Sequence, residues 1–206
     1  MSHGRVRIEH TVTSGTFSLD GETHQVDNNV WVIGDDEECV VIDAPHDVDR
    51  ILEVVAGRRV RAILCTHAHD DHVRVAPQLA ARTQAPVLLH PDDRPVWELT
   101  HPDSRWDGDL KDGQVVEVAG TALRVLHTPG HAPGAVCFHA EDLGAVFTGD
   151  TLFQGGPGAT GRSFSDHDVI VRSIRDRLLR LPGDTVVHTG HGPDTTIEAE
   201  RAGIPA

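Results

Sequence analysis

Residues 61–72 of this chain read RAILCTHAHDDH, an apolar run followed by three histidines and two aspartates within seven positions. If the apolar run continues as a strand, the side chains of His67 and His69 project to the same side, because strand side chains alternate with a period of two. Asp71 and His72 follow the end of the strand, where the chain turns toward the next helix. The pattern predicts that this turn offers two ligands to one metal ion and two more to a neighbouring ion.

Three later segments supply the remaining ligands of such a site. His131 lies in HTPGH, Asp150 in FTGD and His191 in TGHG, each at the end of a predicted strand and each beside a glycine. Glycine lets the backbone turn sharply and brings a ligand close without a side-chain clash. Two hydrolytic zinc ions need about six or seven protein ligands, because each keeps room for water. With the four residues of THAHDDH, the set is complete.

The ligand types narrow the choice of metal. Five imidazoles and two carboxylates suit zinc, iron or manganese better than calcium or magnesium, which prefer shells made of oxygen alone. We expect two divalent metal ions, with zinc favoured and iron or manganese as alternatives. Ligand type alone does not separate zinc from iron.

Composition and charge limit the classes of partner. The 206 residues are 38% hydrophobic and 24% charged, from which we expect one globular domain over residues 1–206. Acidic residues outnumber basic ones by 32 to 18, which argues against a nucleic-acid partner. The first ten residues lack the apolar core of a signal peptide, and no stretch approaches the roughly 20 apolar residues that span a bilayer. We therefore expect a soluble protein without a membrane partner.

The three cysteines indicate the redox compartment. Cys39, Cys65 and Cys137 lie in apolar, strand-like runs, and none forms a Cys-x-x-Cys pair. This arrangement is typical of buried free thiols rather than of disulfides or a zinc knuckle. The sequence therefore predicts a cytoplasmic location.

Strand and helix patterns alternate along the chain. β-branched apolar runs predict strands before residue 44 and again between residues 114 and 149. Helical spacing of apolar residues appears in DVDRILEVVAG (residues 47–57), and further helices are expected over residues 72–83 and 92–99. The alternation predicts an α/β fold class.

Two helix starts can be predicted near the carboxyl end. SDHDVIVRSIRDRLLRLPG (residues 165–183) places apolar residues on one helical face, with Ser165 or Asp166 as the N-cap. Thr195 and Glu198 have the spacing of a capping box for a short terminal helix.

Several motifs together resemble the metallo-β-lactamase superfamily, and within it the hydroxyacylglutathione hydrolase (glyoxalase II) group. They are THAHDDH (66–72), HTPGHAPGAVCF (127–138), FTGDTLFQGG (147–156), GR (161–162) and GHGPDTT (190–196), in the family's order. The resemblance implies an αββα four-layer sandwich, with the metals at one edge between two sheets. It is closest to small members that lack the C-terminal helical domain of full-length glyoxalase II enzymes.

The resemblance also implies a role for each ligand. The first metal would take His67, His69 and His131, the second would take Asp71, His72 and His191, and Asp150 would bridge them. Asp43 matches a family aspartate that orients a ligand histidine, and His127 matches a residue that supports the ligands from outside the metal shell.

The expected chemistry is hydrolysis by a metal-bridging hydroxide held in line by Asp71 and Asp150. The substrate would be a small-molecule thioester, such as an S-2-hydroxyacyl, S-acyl or S-formyl adduct. Arg162 and Phe153 are the candidates for substrate contact. The chain contains no tyrosine, so the family's tyrosine contacts to glutathione do not transfer, and the thiol carrier could be glutathione, mycothiol or another small thiol.

Three alternatives stay open. A persulfide dioxygenase shares much of the motif set but uses a single iron. A β-lactamase and a non-catalytic metal-binding module are the other two, although a purely structural metal site would not need open coordination positions. The oligomeric state is left open by the sequence.

Overall fold

The computed structural model describes residues 4–204, and its framework is a pair of six-stranded sheets. The strands of the first sheet, in spatial order, are β1 (Arg7–Leu19), β2 (Glu22–Gly34), β3 (Glu38–Ile42), β4 (Arg59–Leu64), β5 (Val87–Leu89) and β6 (Gly108–Asp109). β1, β2 and β3 are antiparallel neighbours, whereas β3, β4, β5 and β6 run parallel. The carboxyl ends of β3, β4 and β5 therefore lie at one edge.

The later strands form a second sheet and a small ribbon. In chain order they are β7 (Val115–Val118), β8 (Thr121–His127), β9 (Val136–Ala140), β10 (Ala145–Gly149), β11 (Leu152–Phe153), β12 (Gly156–Pro157), β13 (Val186–Thr189) and β14 (Thr195–Thr196). β11 and β12 make the ribbon, and the sheet has the order β14-β13-β10-β9-β8-β7. Because β9 is antiparallel to β8 and β10 while β13 is parallel to β10, strands β8, β10 and β13 all end at one edge.

Helices cover the outer faces of both sheets. They are α1 (Val48–Val55), α2 (Asp70–Val73), α3 (Ala76–Thr83), α4 (Arg94–Thr100), α5 (His167–Ser173) and α6 (Ile197–Arg201), and α5 continues into a wider turn over Ile174–Leu178.

Three apolar clusters separate the layers. One lies between the first sheet and α1, α3 and α4, one lies between the two sheets, and one lies between the second sheet and α5 and α6. Representative members are, cluster by cluster, Ile51, Ile63 and Trp97; Leu64, Leu123 and Phe138; and Val146, Ile170 and Ile197. The order helix, sheet, sheet, helix confirms the αββα sandwich.

One predicted helix is divided in two. Instead of a single helix over residues 72–83, α2 ends at Val73 and α3 begins at Ala76. The reason is the backbone of Ala44, whose amide donates to the carbonyl of His72 (2.9 Å) and whose carbonyl accepts from the amide of Val75 (3.1 Å). These bonds replace those that would continue the helix.

The two predicted helix starts differ in outcome. Asp166 is the N-cap of α5, with a side chain that accepts from the amide of Val169 at 3.0 Å, as predicted. The terminal helix α6 is capped by Thr196, one residue later than predicted. Thr195 instead lies in β14 and donates its hydroxyl to Glu200, so the predicted capping box is wrong.

Burial of the cysteines agrees with one further expectation. Cys39, Cys65 and Cys137 are buried free thiols, as predicted. Within residues 4–204, no helix combines the length and the apolar character needed to cross a membrane.

Candidate metal centre

The seven predicted ligands meet where strands of both sheets end. The THAHDDH turn follows β4, and His131, Asp150 and His191 follow β8, β10 and β13. Their donor atoms fall into groups of three in which all atoms lie within 4.8 Å of one another. We call His67, His69 and His131 the three-histidine site, and Asp71, His72 and His191 the mixed site.

The three-histidine site is a buried cage of imidazoles. Nδ1 of His69 lies 3.0 Å from Nε2 of His131. The ring of His67 is nearly perpendicular to both, at 88° and 84°, with centroid distances of 4.8 and 4.9 Å. These rings come from both sheets, because His67 and His69 follow β4 and His131 follows β8.

The mixed site has the spacing of a tetrahedral shell. Oδ2 of Asp71 lies 3.2 Å from Nε2 of His191 and 3.6 Å from Nε2 of His72, and the two nitrogens are 3.3 Å apart. Metal–ligand bonds of about 2.0–2.1 Å in a tetrahedron separate neighbouring ligands by roughly 3.3 Å. The three atoms can therefore bind one ion without rearrangement.

Asp150 contacts both sites. Its Oδ1 lies 3.3 Å from Nε2 of His72, and its Oδ2 lies 3.3 Å from Nε2 of His191 and 3.5 Å from Nε2 of His131. A glycine at position 190 makes this placement possible, since a Cβ there would lie 2.3 Å from Oδ1 of Asp150. The carboxylate therefore occupies the position of a bridging ligand.

Hydrogen bonds on the outer side of the rings orient the imidazoles. In four of the five histidines, Nδ1 faces an oxygen acceptor, so Nε2 is directed to the centre. The pairs are His67 with Oγ1 of Thr66 (3.1 Å), His72 with Oδ2 of Asp43 (2.8 Å), His131 with the carbonyl of Ala159 (2.8 Å) and His191 with the carbonyl of Asp27 (2.7 Å).

Two buried atoms at the centre provide a test of metal fit. Nε2 of His67 and Oδ1 of Asp150 have no hydrogen-bond partner. Buried polar atoms normally have one, and a divalent cation between these donors would supply it. The mixture of imidazoles and carboxylates also suits zinc, iron or manganese. The residues present therefore fit a pair of such ions.

Comparison with known proteins identifies the family. The family model described as the metallo-beta-lactamase superfamily matches residues 25–191, which include all seven side chains. The chain belongs to the metallo-beta-lactamase superfamily. Most members of this superfamily are metal-dependent hydrolases.

Two bacterial members of the superfamily are similar along most of their length. The hydroxyacylglutathione hydrolase GloC of Haemophilus influenzae is 31% identical over 195 residues, which cover 86% of this chain and 91% of that protein. The probable metallo-hydrolase YqgX of Bacillus subtilis is 31% identical over 190 residues, covering 84% and 89%.

Three solved structures share this superfamily fold. The B3 metallo-beta-lactamase BLEG-1 matches with a TM-score of 0.79 and 29% identity over 94% of this chain and 98% of that one. TTHA1623 in a di-iron-bound form matches with a TM-score of 0.77 and 32% identity over 94% and 98%. ETHE1 from Myxococcus xanthus matches with a TM-score of 0.75 and 28% identity over 94% and 83%.

Burial makes the three-histidine site of this superfamily member neutral. Removal from water disfavours a charged imidazole, and for His67 and His69 the neighbouring histidines add to that effect. The pKa of His69 falls to about 3, the pKa of His67 falls well below its ordinary value, and the pKa of His131 is also lowered. Lone pairs are therefore available to a cation near neutral pH.

The mixed site shows the opposite shift. Burial opposes a charge on His191, but Asp150 and Asp71 outweigh it and raise the pKa of His191 to about 10. Burial likewise opposes a charge on His72, and the carboxylates of Asp150, Asp71 and Asp43 raise its pKa well above the ordinary value. The histidines in turn overcome burial to lower the pKa of Asp71 to about 2 and to hold the pKa of Asp150 well below its ordinary value. A cation entering this site would replace protons.

Asp43 lies where the resemblance places it. Its Oδ2 accepts from Nδ1 of His72 and from the hydroxyl of Thr66, each at 2.8 Å, and its Oδ1 accepts from the amide of Thr66 at 2.7 Å. It follows β3 with a φ of 63°, an uncommon conformation for a residue with a side chain. One carboxylate thus orients a mixed-site ligand and fixes the start of the THAHDDH turn.

His127 is not brought to the centre. Its ring stacks on His90 at a centroid distance of 4.1 Å and an angle of 11°, and its Nε2 donates to the carbonyl of Pro133 at 3.0 Å. It is the last residue of β8, four residues before His131, and its side chain packs outside the ligand cluster. Its contacts support the loop that carries His131 rather than a ligand ring.

A cavity of about 140 Å³ opens onto the ligands. Beyond the ligands, its walls include Phe17 and Val26 from the β1–β2 hairpin and Arg162 from the loop after β12. The guanidinium of Arg162 lies 5.0 Å from the centre of the Phe17 ring. Phe153 is not among the residues that line the cavity, although its ring centre lies 6.2 Å from that of His191. Of the two predicted substrate contacts, the structure therefore places Arg162 at the cavity wall.

Sequence reasoning missed Asn28. This fully buried residue of β2 donates from Nδ2 to Oδ2 of Asp71 at 3.0 Å, and its Oδ1 lies 2.8 Å from Nε2 of His46. It therefore orients a mixed-site carboxylate from a strand far away in sequence. The available signal was a pair of amides, Asn28 and Asn29, directly before the apolar run VWVI of the same strand.

Proposed function

We propose that this chain hydrolyses a thioester of a low-molecular-weight thiol, with two metal ions at its centre. The observation that carries the proposal is the position of Asp150, within 3.3–3.5 Å of ligands from both sites. A carboxylate in this position suits two ions that share it, as in two-metal hydrolytic sites. Similarity to a hydroxyacylglutathione hydrolase along 86% of this chain supports the thioester class.

Two divalent ions, when bound, supply a hydroxide nucleophile at neutral pH and polarise the substrate carbonyl. The chain positions the reactants. Asp150, which contacts ligands of both sites, and Asp71 of the mixed site would hold the attacking water in line. A thiol has a pKa of about 8.5, so the thiolate leaves without a general acid.

Zinc is the proposed metal, with iron and manganese as alternatives. Tetrahedral spacing in the mixed site and five imidazole donors support zinc. Similarity to TTHA1623, which was solved in a di-iron-bound form, supports iron as the main competitor. The donor set accepts either ion.

The substrate is proposed to place a small acyl group in the cavity and its thiol carrier at the mouth. A volume of about 140 Å³ suits a formyl or short 2-hydroxyacyl group rather than a whole tripeptide thiol. Arg162 at the wall would pair with a carboxylate of the carrier, since guanidinium groups bind carboxylates through two parallel hydrogen bonds. Glutathione carries such carboxylates; mycothiol, the alternative carrier, has none and would accept hydrogen bonds from Arg162 through its amide and hydroxyl oxygens.

A screen of the metal-loaded chain tests this proposal. Its substrates would be the S-lactoyl and S-formyl thioesters of glutathione and mycothiol, with release of free thiol as the signal. We expect turnover of at least one thioester and none after metal removal. Absence of thiol release with both metal sites filled would contradict the proposed function.

A persulfide dioxygenase is the second candidate. The three-histidine site favours it, because three neutral imidazoles are a sufficient set for a single iron. Oxygen uptake and sulfite production from glutathione persulfide, at one iron per chain, would identify that activity. Nitrocefin in the same screen tests for the β-lactamase activity that the BLEG-1 similarity raises.

We further propose a cytoplasmic protein with a small-molecule partner. The three buried free cysteines support a reducing compartment. The net charge of −14 disfavours phosphate-rich partners such as nucleic acids.

A further inference from the structure

Asp93 is a buried acidic residue outside every motif of the metal centre. It ends the short helical turn Pro91–Asp93 that follows β5, and none of its side chain is exposed to solvent. It precedes α4, but its side chain does not cap that helix. Burying a carboxylate is unfavourable unless hydrogen bonds or charges compensate for the lost water. Its side chain therefore needs another explanation.

Both carboxylate oxygens bind backbone amides of loops that carry ligands. Oδ2 accepts from the amide of Ala68 at 2.7 Å, and Oδ1 accepts from the amide of Gly134 at 2.5 Å. Ala68 lies between His67 and His69, and Gly134 lies three residues after His131. Asp93 thus connects the two loops whose histidines form the three-histidine site.

These two loops belong to different sheets. One follows β4 of the first sheet, and the other joins β8 to β9 of the second. A direct backbone bond between the amide of Val136 and the carbonyl of Thr66, at 2.8 Å, also links them. Asp93 adds two hydrogen bonds beside the histidines themselves, and so it fixes the distance of His131 from His67 and His69.

The loop at Gly134 lies directly on Asp93. A Cβ at position 134 would be 2.6 Å from the backbone nitrogen of Asp93 and 2.9 Å from its Cγ. Contacts this short are not tolerated, so any larger residue would push the loop away. Glycine at 134 and aspartate at 93 therefore form one close contact.

We propose that Asp93 is a positioning residue for the three-histidine site, holding its ligands from the two sheets at metal-binding distance. The inference rests on the metal centre proposed above, although it does not depend on thioester hydrolysis. The mixed site is also supported by Asn28 and by Asp43, which orients His72 as well as Thr66, and the hydrogen bonds of these two residues run to other partners than Asp93. Loss of Asp93 should therefore affect one site much more than the other.

The test is a cobalt titration of metal-free protein, followed by visible absorption, in two backgrounds. His191→Ala leaves the three-histidine site, and His67→Ala leaves the mixed site. Asp93→Asn keeps the volume but replaces one acceptor by an NH₂ group that faces a backbone N–H. We expect affinity at the three-histidine site to fall by about 10- to 100-fold, the range typical of residues that orient metal ligands, and affinity at the mixed site to stay within about 3-fold.

Asp103→Asn is the matched control, because Asp103 is exposed in the segment after α4 and belongs to neither ligand loop. Gly134→Ala disturbs the same contact from the other loop and should reproduce the selective loss, including if Asp93→Asn does not fold. Equal weakening of both sites, or unchanged cobalt affinity in both Asp93→Asn and Gly134→Ala, would overturn the inference. Wild-type protein that binds no cobalt would contradict the metal centre itself, a result distinct from inactivity toward thioesters.

Discussion

The two carboxylate oxygens of Asp150 link the three-histidine site to the mixed site. Its two oxygens contact His72, His131 and His191 at 3.3–3.5 Å. Because Asp150 contacts both groups, no other ligand can take over its contacts. The residue therefore offers a direct test of whether the ligands cooperate in catalysis.

Asp150→Asn should abolish thioester turnover, with a loss of at least about 10³-fold in kcat, because an amide cannot accept hydrogen bonds on both sides or balance the charge of two cations. Circular dichroism should show that the sandwich is retained. Asp142→Asn is the control, because Asp142 is exposed in the short turn that precedes β10. Near-normal turnover in metal-loaded Asp150→Asn protein would rule out the bridging role.

The pKa values of the histidines predict that the two sites release different numbers of protons when they bind a metal ion. In metal-free protein, the pKa of His191 is raised to about 10, so its ring is charged at pH 7.5 and must lose a proton to bind a cation, and the carboxylates around His72 raise the pKa of that ring as well. The pKa of His69 is about 3, so the three-histidine site has no proton to release.

Calorimetry in two buffers of different ionisation enthalpy measures this difference. The ligands of the mixed site should release at least about one proton per ion, and this site should bind more tightly as pH rises from 6 to 8. The ligands of the three-histidine site should release close to none over that range, which leaves only the proton of a metal-bound water. Equal release for both equivalents of zinc would contradict the assignment.

At the level of elements, the N-cap of α5 illustrates a purely structural contribution. Asp166 accepts from the amide of Val169, and the helix it begins packs Ile170 and Ile174 against the second sheet. Asp166→Ala should lower the free energy of unfolding by about 1 kcal/mol, measured by urea denaturation. Asp166→Asn, which retains the capping oxygen, should change it little; a similar loss in both variants would point to a charge effect instead.

The β1–β2 hairpin and the loop after β12 meet at the cavity wall. Arg162 lies over Phe17, and its Nη2 is 3.2 Å from Nε2 of His24 on the hairpin. Arg162→Ala should raise KM for an anionic thioester by about ten-fold with little change in kcat, because the contact is to the carrier and not to the reacting carbonyl. Arg175→Ala removes an exposed arginine elsewhere and is the control. A fall in kcat at constant KM would place Arg162 in the chemical step.

At the scale of the whole molecule, the sandwich brings ligands from both sheets to one edge. The sequence was sufficient for much of this, because THAHDDH follows an apolar strand and the other ligands stand beside glycines at strand ends. Those local patterns predicted the seven residues that the structure brings together.

What could not be predicted depends on contacts between distant segments. Asn28 reaches Asp71 across 43 positions, and Asp93 reaches Gly134 across 41, so neither is visible in a local pattern. The stacking of His127 on His90 could not be predicted for the same reason, because His90 is distant in sequence from the HTPGH motif. The same limit explains the divided helix at residues 72–83, which is interrupted by backbone bonds to Ala44.

The central claim is that two metal ions share one hydrolytic centre. It is tested most directly by adding zinc to metal-free protein in steps while following both bound metal and thioester hydrolysis. If two ions share the centre, hydrolysis rises mainly with the second equivalent and levels off at two ions per chain. Full activity at one ion per chain, or oxygen-dependent turnover of a persulfide by a single iron with no thioester hydrolysis at two ions, would contradict it.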